Sequence, residues 1–120
     1  MLQKPVVYVV DDELVLADTI GEILRQEGFE VRTFYDGSDV MAQAPELPPD
    51  IVITDYLMPV VNGLVLAEWL RARFPQCRII MLSGNMHLLP DHVANIQEKL
   101  GITLVAKPIS PLKLVALLKG

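Results

Sequence analysis

Five short apolar runs punctuate the chain, at residues 6–10, 31–34, 51–54, 78–82 and 102–106, and they are rich in Val and Ile. Uninterrupted runs of this length suit strands covered on both faces, as in a parallel sheet. Between them the period changes. Leu16, Ile20, Ile23 and Leu24 fall at i, i+4, i+7 and i+8 ahead of Gly28, which marks one helix face followed by a C-terminal stop. Leu66, Ala67, Leu70 and Phe74 form a second stripe ended by Pro75, and Leu89, Val93, Ile96 and Leu100 a third ended by Gly101. At Ser110-Pro111 a side-chain cap precedes a proline in the first turn, opening a helix through Leu112, Val115 and Leu118. The least marked helix covers 38–44 and runs into a proline-rich turn at 45–49. Strand and helix alternate five times. That order predicts an α/β fold, a parallel sheet with right-handed crossovers and helices on both faces.

Composition narrows the class. The 120 residues suffice for one domain over 1–120, either alone or as one piece of a longer chain. With 52% apolar and 21% charged residues the chain is globular. Ten Lys and Arg against 15 Asp and Glu leave a net charge of −5, which lacks the phosphate-neutralising excess of a direct nucleic-acid binder. One cysteine excludes an internal disulfide framework and a Cys-based zinc site. The longest uncharged stretches, 56–67 and 79–90, contain Pro or Gly and fall short of the roughly 18 residues of a membrane span. The apolar run at 6–10 is too short for a signal peptide. A cytoplasmic domain with no membrane partner is the expectation.

In doubly wound sheets the working site lies at the carboxyl ends of the strands. There the sequence places Asp11, Asp12 and Glu13 after the first strand and Asp55 after the third. Ser83-Gly84 follows the fourth, and Lys107-Pro108 closes the fifth. Acids that start helices or turns after strands are common, but that habit does not explain all of these positions together. Converging carboxylates repel by roughly 4 kcal/mol per pair at about 4 Å and an effective dielectric near 20. A hard divalent cation relieves the repulsion without loss of charge, and all-oxygen ligands with room for water suit Mg²⁺. Lys107 adds a fixed positive charge and Ser83 a hydroxyl. A carboxylate in such a setting can attack an activated phosphoryl group and form an acyl phosphate.

These pieces resemble a response-regulator receiver domain (CheY-like), and the likeness covers essentially the whole chain. It is carried by Val9-Val10-Asp11-Asp12, by Asp55-Tyr56-Leu57-Met58-Pro59 with Asn62-Gly63, by Leu82-Ser83-Gly84 and by Lys107-Pro108. The resemblance implies a flavodoxin-like three-layer (βα)5 sandwich with strand order 2-1-3-4-5. It also implies that Asp55 accepts phosphate from a phosphohistidine on a sensor histidine kinase or histidine phosphotransfer protein. Asp12, Asp55 and the Leu57 carbonyl would bind Mg²⁺ directly, with Asp11 assisting mainly through water. Ser83 would hydrogen-bond the phosphoryl group, Lys107 would pair with it, and the Lys107-Pro108 bond would be cis. Such a domain catalyses only its own phosphorylation and dephosphorylation. It controls a downstream effector or an attached output domain, and the face built from the fourth helix, fifth strand and fifth helix, roughly 90–119, serves output or a homodimer. Leu104 stands where the family often has Tyr or Phe, so displacement of Ser83 and its loop is left to carry the signal. Leu57 and Asn85 flank the phosphate site, and Leu57 has no group to orient an attacking water.

Three rivals are weaker. An aspartyl-phosphate phosphohydrolase with an Asp-x-Asp pair needs a second carboxylate where Leu57 stands. A flavin binder of the same fold wants a Gly- or Ser/Thr-rich phosphate loop, and Asp11-Asp12 has the wrong charge for one. An interaction domain working without phosphorylation is the third. Elsewhere, Cys77 reads as a small buried hydrophobe, and His87 and His92, five apart, do not share a helix face as a zinc pair would. Trp69 helps cover the sheet, the Met residues fill gaps, and Arg71, Arg73 and Arg78 read as a solvated helix end.

Overall fold

A computed structural model describes residues 4–84 and 91–120. Asn85, His87 and Leu89 lie outside the described residues, as do the side chains of His92, Val93 and Ile96. Strand and helix alternate throughout: β1 (Val6–Val10), α1 (Leu14–Gln26), β2 (Glu30–Phe34), α2 (Gly37–Gln43), β3 (Ile51–Asp55), α3 (Gly63–Arg73), β4 (Arg78–Ser83), α4 (Asp91–Leu100), β5 (Ile102–Ala106) and α5 (Pro111–Lys119). The five strands form one parallel sheet in the order β2-β1-β3-β4-β5. Both the fold class and the strand order match the sequence reading.

The apolar runs are continuous because each strand feeds two cores. Along β1, Val7 and Val9 point to one side, with Ile51, Ile53, Ile80 and Leu82, and meet Ala17, Ile20 and Leu24 of α1 and Leu114, Val115 and Leu118 of α5. Tyr8 and Val10 point to the other, with Val52, Ile79 and Met81, and meet Leu66, Ala67 and Leu70 of α3. Tyr8 is fully buried yet polar, and its hydroxyl donates to the Leu47 carbonyl in the turn before β3. Caps set the helix starts. Asp36 accepts from the Ser38 N–H at 2.8 Å, Asn62 from the Val65 N–H at 2.9 Å and Ser110 from the Lys113 N–H at 3.2 Å. Gly28 and Gly101, at φ 95° and 67°, follow α1 and α4 in the left-handed region.

Two sequence expectations change. Asp55 and Ser83 are the last residues of β3 and β4 rather than the first of the loops, because the ladder pairs Asp55 with Leu82 and Ser83 with Ala106. The arginines are also not one solvated patch. Arg71 donates to the carbonyls of Leu100, Pro75 and Cys77, at 2.8, 3.0 and 2.5 Å. Arg78 donates to those of Leu117 and Leu118 at 2.7 and 3.2 Å, satisfying carbonyls that the end of α5 leaves without helical partners. Of these three, Arg73 alone is exposed, and its guanidinium stacks over half-buried Trp69, 4.5 Å from the ring centre. Cys77 is buried as read, and burial pushes its thiol up to about 11.

Candidate functional site

Sheet register assembles the site. Val10 pairs with Thr54, so Asp11, the first residue past β1, stands beside Asp55, the last residue of β3. Ser83 pairs with Ala106, which brings Lys107 to the far side of the same edge. The Lys107 N–H donates to the Ser83 carbonyl at 2.8 Å and extends that pairing by one step. The Lys107-Pro108 bond is cis, as the resemblance implies.

Carboxylate oxygens of Asp11, Asp12 and Asp55 lie within 4.8 Å of one another. Asp11 and Asp55 are buried, at 2% and 8% exposure, while Asp12 is exposed. Asp11 is fixed from both sides: its backbone N–H donates to the Phe34 carbonyl at 3.0 Å, and its Oδ1 accepts from the Glu13 N–H at 2.9 Å. The Lys107 ammonium sits 3.2 Å from Asp11 Oδ2 and 3.2 Å from Asp55 Oδ1, bridging two acids whose chain positions are 44 residues apart. Burial is the main influence on Asp55 and raises its carboxyl above the ordinary value. Lys107 opposes that rise, and Asp11 and Asp12 add to it. Burial would lower the Lys107 ammonium, but Asp11 and Asp55 outweigh it and hold the group above its usual range.

One ammonium does not balance three carboxylates. Two like charges about 4.8 Å apart repel by roughly 3.5 kcal/mol at an effective dielectric near 20. Hard oxygen donors and a net local charge near −2 fit a small divalent cation such as Mg²⁺. Ser83 is buried at the edge between Asp55 and Lys107. Leu57 stands on the β3–α3 loop with its side chain 69% exposed.

That loop has an unusual backbone. Val60 has φ 68°, and the Val61 N–H donates to the Pro59 carbonyl at 2.8 Å, closing a three-residue γ-turn of the rare hand. A β-branched residue in that region is an outlier, and the Val60 side chain is 91% exposed, so its own packing does not hold it there. No sequence signal marked this position, since Val resists a positive φ.

Comparison with known proteins agrees with the geometry. The family model for "Response regulator receiver domain" matches residues 7–119. TcrX, a probable transcriptional regulatory protein of Mycobacterium tuberculosis, is 36% identical over 108 residues; the match covers 90% of this chain and 45% of TcrX. The chain spans about half the length of the curated relatives it matches. Among solved structures, the chemotaxis protein CheY4 of Vibrio cholerae superposes with a TM-score of 0.85 at 26% identity, covering 98% of each chain. A BeF3-activated receiver domain of DrrB, from Thermotoga maritima, gives 0.81 at 26%, covering 98% of this chain and 96% of that one. By sequence profile, by relatives and by fold, the chain belongs to the response-regulator receiver domains, the regulatory modules of two-component phosphorelay signalling.

Proposed function

We propose that Asp55 is the phosphoacceptor of this domain and that its chemistry depends on Mg²⁺. The observation that carries the reading is the cluster of Asp11, Asp12 and Asp55 bridged by Lys107 at the carboxyl edge of the sheet. Asp12, Asp55 and the Leu57 carbonyl would hold the ion, with Asp11 assisting. Bound there, Mg²⁺ supplies positive charge against the phosphoryl oxygens.

The donor is a phosphohistidine on a sensor histidine kinase or a histidine phosphotransfer protein. An Asp55 carboxylate oxygen forms a bond to phosphorus as the P–N bond to the imidazole breaks. The bonding pair stays on that ring nitrogen, and because the donor's other ring nitrogen carries a proton, the leaving group is neutral imidazole. Lys107 pairs with the incoming group and Ser83 donates its hydroxyl to it, both groups being held in place before the reaction. The product is an aspartyl phosphate, and water later cleaves it. DrrB offers a precedent, since its receiver domain is described in a BeF3-activated form.

Phosphorylation biases a two-state equilibrium read at the α4-β5-α5 face, where an effector, an attached output domain or a second copy docks. Leu104 is half-buried against the core around Tyr8 and Met81, so movement of Ser83 and its loop carries the switch rather than an aromatic rotation. The domain turns over no metabolite, works in the cytoplasm and makes no direct contact with nucleic acid. No described helix is long and apolar enough to cross a membrane. The unit spans 1–120, and relatives twice its length suggest a longer chain as its natural setting.

Intact mass after incubation with acetyl phosphate tests the reading. One added phosphoryl group with Mg²⁺, none with EDTA and none in Asp55→Ala is the expected pattern. Uptake that ignores EDTA removes the metal from the mechanism. No uptake from acetyl phosphate or any phosphohistidine donor leaves the non-phosphorylated interaction domain as the better account.

A further inference from the structure

The β3–α3 loop is gripped by two bare α-carbons. A methyl group on Gly63 would stand 2.2 Å from the Asp55 carbonyl oxygen and 3.0 Å from the Tyr56 α-carbon, so α3 begins in direct contact with the backbone of the acceptor. The Gly63 N–H secures that approach by donating to the Tyr56 carbonyl at 2.8 Å. The second grip comes from a different helix. A methyl group on Gly37, the first residue of α2, would stand 2.9 Å from Val61 Cγ1, 3.1 Å from its Cβ and 3.4 Å from its carbonyl oxygen. Gly37 is itself buried, and Val61 packs on the core shared by Val40 and Leu64.

We infer that Gly37 is a positioning residue for the acceptor loop, holding the segment from Leu57 to Val61 through the bare contact between α2 and Val61. The proposal rests on the reading of Asp55 and the Leu57 carbonyl as ligands of Mg²⁺. Strained backbone persists only where its surroundings over-determine it. Val60 cannot fix its own φ of 68° from an exposed side chain, so the constraint comes from its neighbours. On the chain's far side those are Gly63 and the cap at Asn62; next to the strained turn it is Val61, seated on Gly37. Val61 cannot yield by swinging one methyl aside, because its Cβ and carbonyl stand behind that methyl at nearly the same distance. A side chain at position 37 therefore displaces the loop backbone by a few tenths of an ångström, and Leu57 lies four residues upstream on it. Groups that orient metal ligands change affinity by about 10–100-fold when removed, so a partial displacement predicts a smaller but measurable effect, about threefold.

The test is an Mg²⁺ titration followed by backbone amide shifts, run beside thermal unfolding in EDTA, on wild type, Gly37→Ala, Gly37→Val, Val61→Ala and the double variant Gly37→Ala/Val61→Ala. The expected result is a dissociation constant raised about threefold in Gly37→Ala and further in Gly37→Val, with the double variant returning close to Val61→Ala. A lower melting temperature with unchanged Mg²⁺ affinity makes Gly37 a packing residue only and overturns the proposal. A double variant as weak as Gly37→Ala overturns it too, because the effect then does not pass through Val61. Should Gly37→Ala fail to fold, Val61→Ile crowds the same contact from the other side and must raise the dissociation constant in the same way, or the proposal fails. Wild type that binds no Mg²⁺ brings down the metal reading and this inference together, whereas wild type that binds while Gly37→Ala matches it brings down this inference alone.

Discussion

Replacing Lys107 by Met removes the ammonium that bridges Asp11 and Asp55 while keeping a side chain of similar length. Each contact at 3.2 Å corresponds to about 5 kcal/mol of attraction at an effective dielectric near 20. Burying the three groups takes back much of that, and breaking a buried pair by removing one partner typically costs about 3–5 kcal/mol. Proton uptake by Asp55, whose carboxyl burial already raises, limits the damage, so the lower end, about 3 kcal/mol, is expected in metal-free buffer at neutral pH. For a domain of this size that is a fall of about 10 °C in melting temperature. Added Mg²⁺ should then stabilise the variant more than the wild type, because the ammonium no longer competes with the metal for the same carboxylates. At a hundredfold excess over its dissociation constant the ion contributes about 2.7 kcal/mol, nearly cancelling the loss. The difference between the proteins should also shrink on acidification, as Asp55, raised by burial, loses the charge that needs a partner. Differential scanning fluorimetry across pH, with EDTA or Mg²⁺, reads all three effects. Equal melting temperatures in EDTA, or a smaller Mg²⁺ response in the variant, would show that Lys107 does not balance this cluster.

Three further outcomes are expected. Leu57→Asn should shorten the lifetime of the phosphorylated domain by about tenfold, since an amide can orient the attacking water that an exposed leucine cannot; equal decay of the two phosphorylated proteins, followed by mass, removes the idea. Asp55 has a folded pKa above its ordinary 3.8, so between those values the native state holds more protons than the unfolded chain and loses stability as pH rises. Asp55→Asn escapes that loss: without metal it should be the more stable protein at neutral pH, with the gap closing below the ordinary carboxylate value, and a gap independent of pH in denaturant titrations would contradict the burial argument. Arg71→Met should destabilise by about 2–3 kcal/mol in urea, because the carbonyls of Leu100, Pro75 and Cys77 all lose their donor, and Arg71→Lys should recover only part of it for want of the planar fork.

How much of this was legible beforehand depends on how far each interaction reaches along the chain. The strands showed as apolar runs because both faces of the sheet are covered, and Ser110-Pro111 announced α5 because a cap acts within its own turn. The strand-end acids and Lys107 could be named, since topology alone puts strand ends at one edge. That Lys107 bridges Asp11 and Asp55, rather than waiting free for a phosphoryl group, needed the register that aligns Ala106 with Ser83. The roles of Arg71 and Arg78 escape the local sequence for the same reason. Their most distant carbonyl partners lie 29 and 40 residues away, and nothing in the neighbouring sequence distinguishes a buried fork from a solvated one. The contact of Gly37 with Val61 was equally hidden, because a glycine at a helix start has ample local reasons to be there.

The acceptor itself is open to the most direct measurement. Borohydride converts an aspartyl phosphate to homoserine, so treating the domain after exposure to acetyl phosphate and Mg²⁺ and then sequencing its peptides by mass locates the group. The proposed chemistry predicts homoserine at position 55 and at no other acid, with none formed when EDTA is present. Homoserine at position 11 or 12, or an unmodified position 55 in protein that has gained a phosphoryl group, would contradict it.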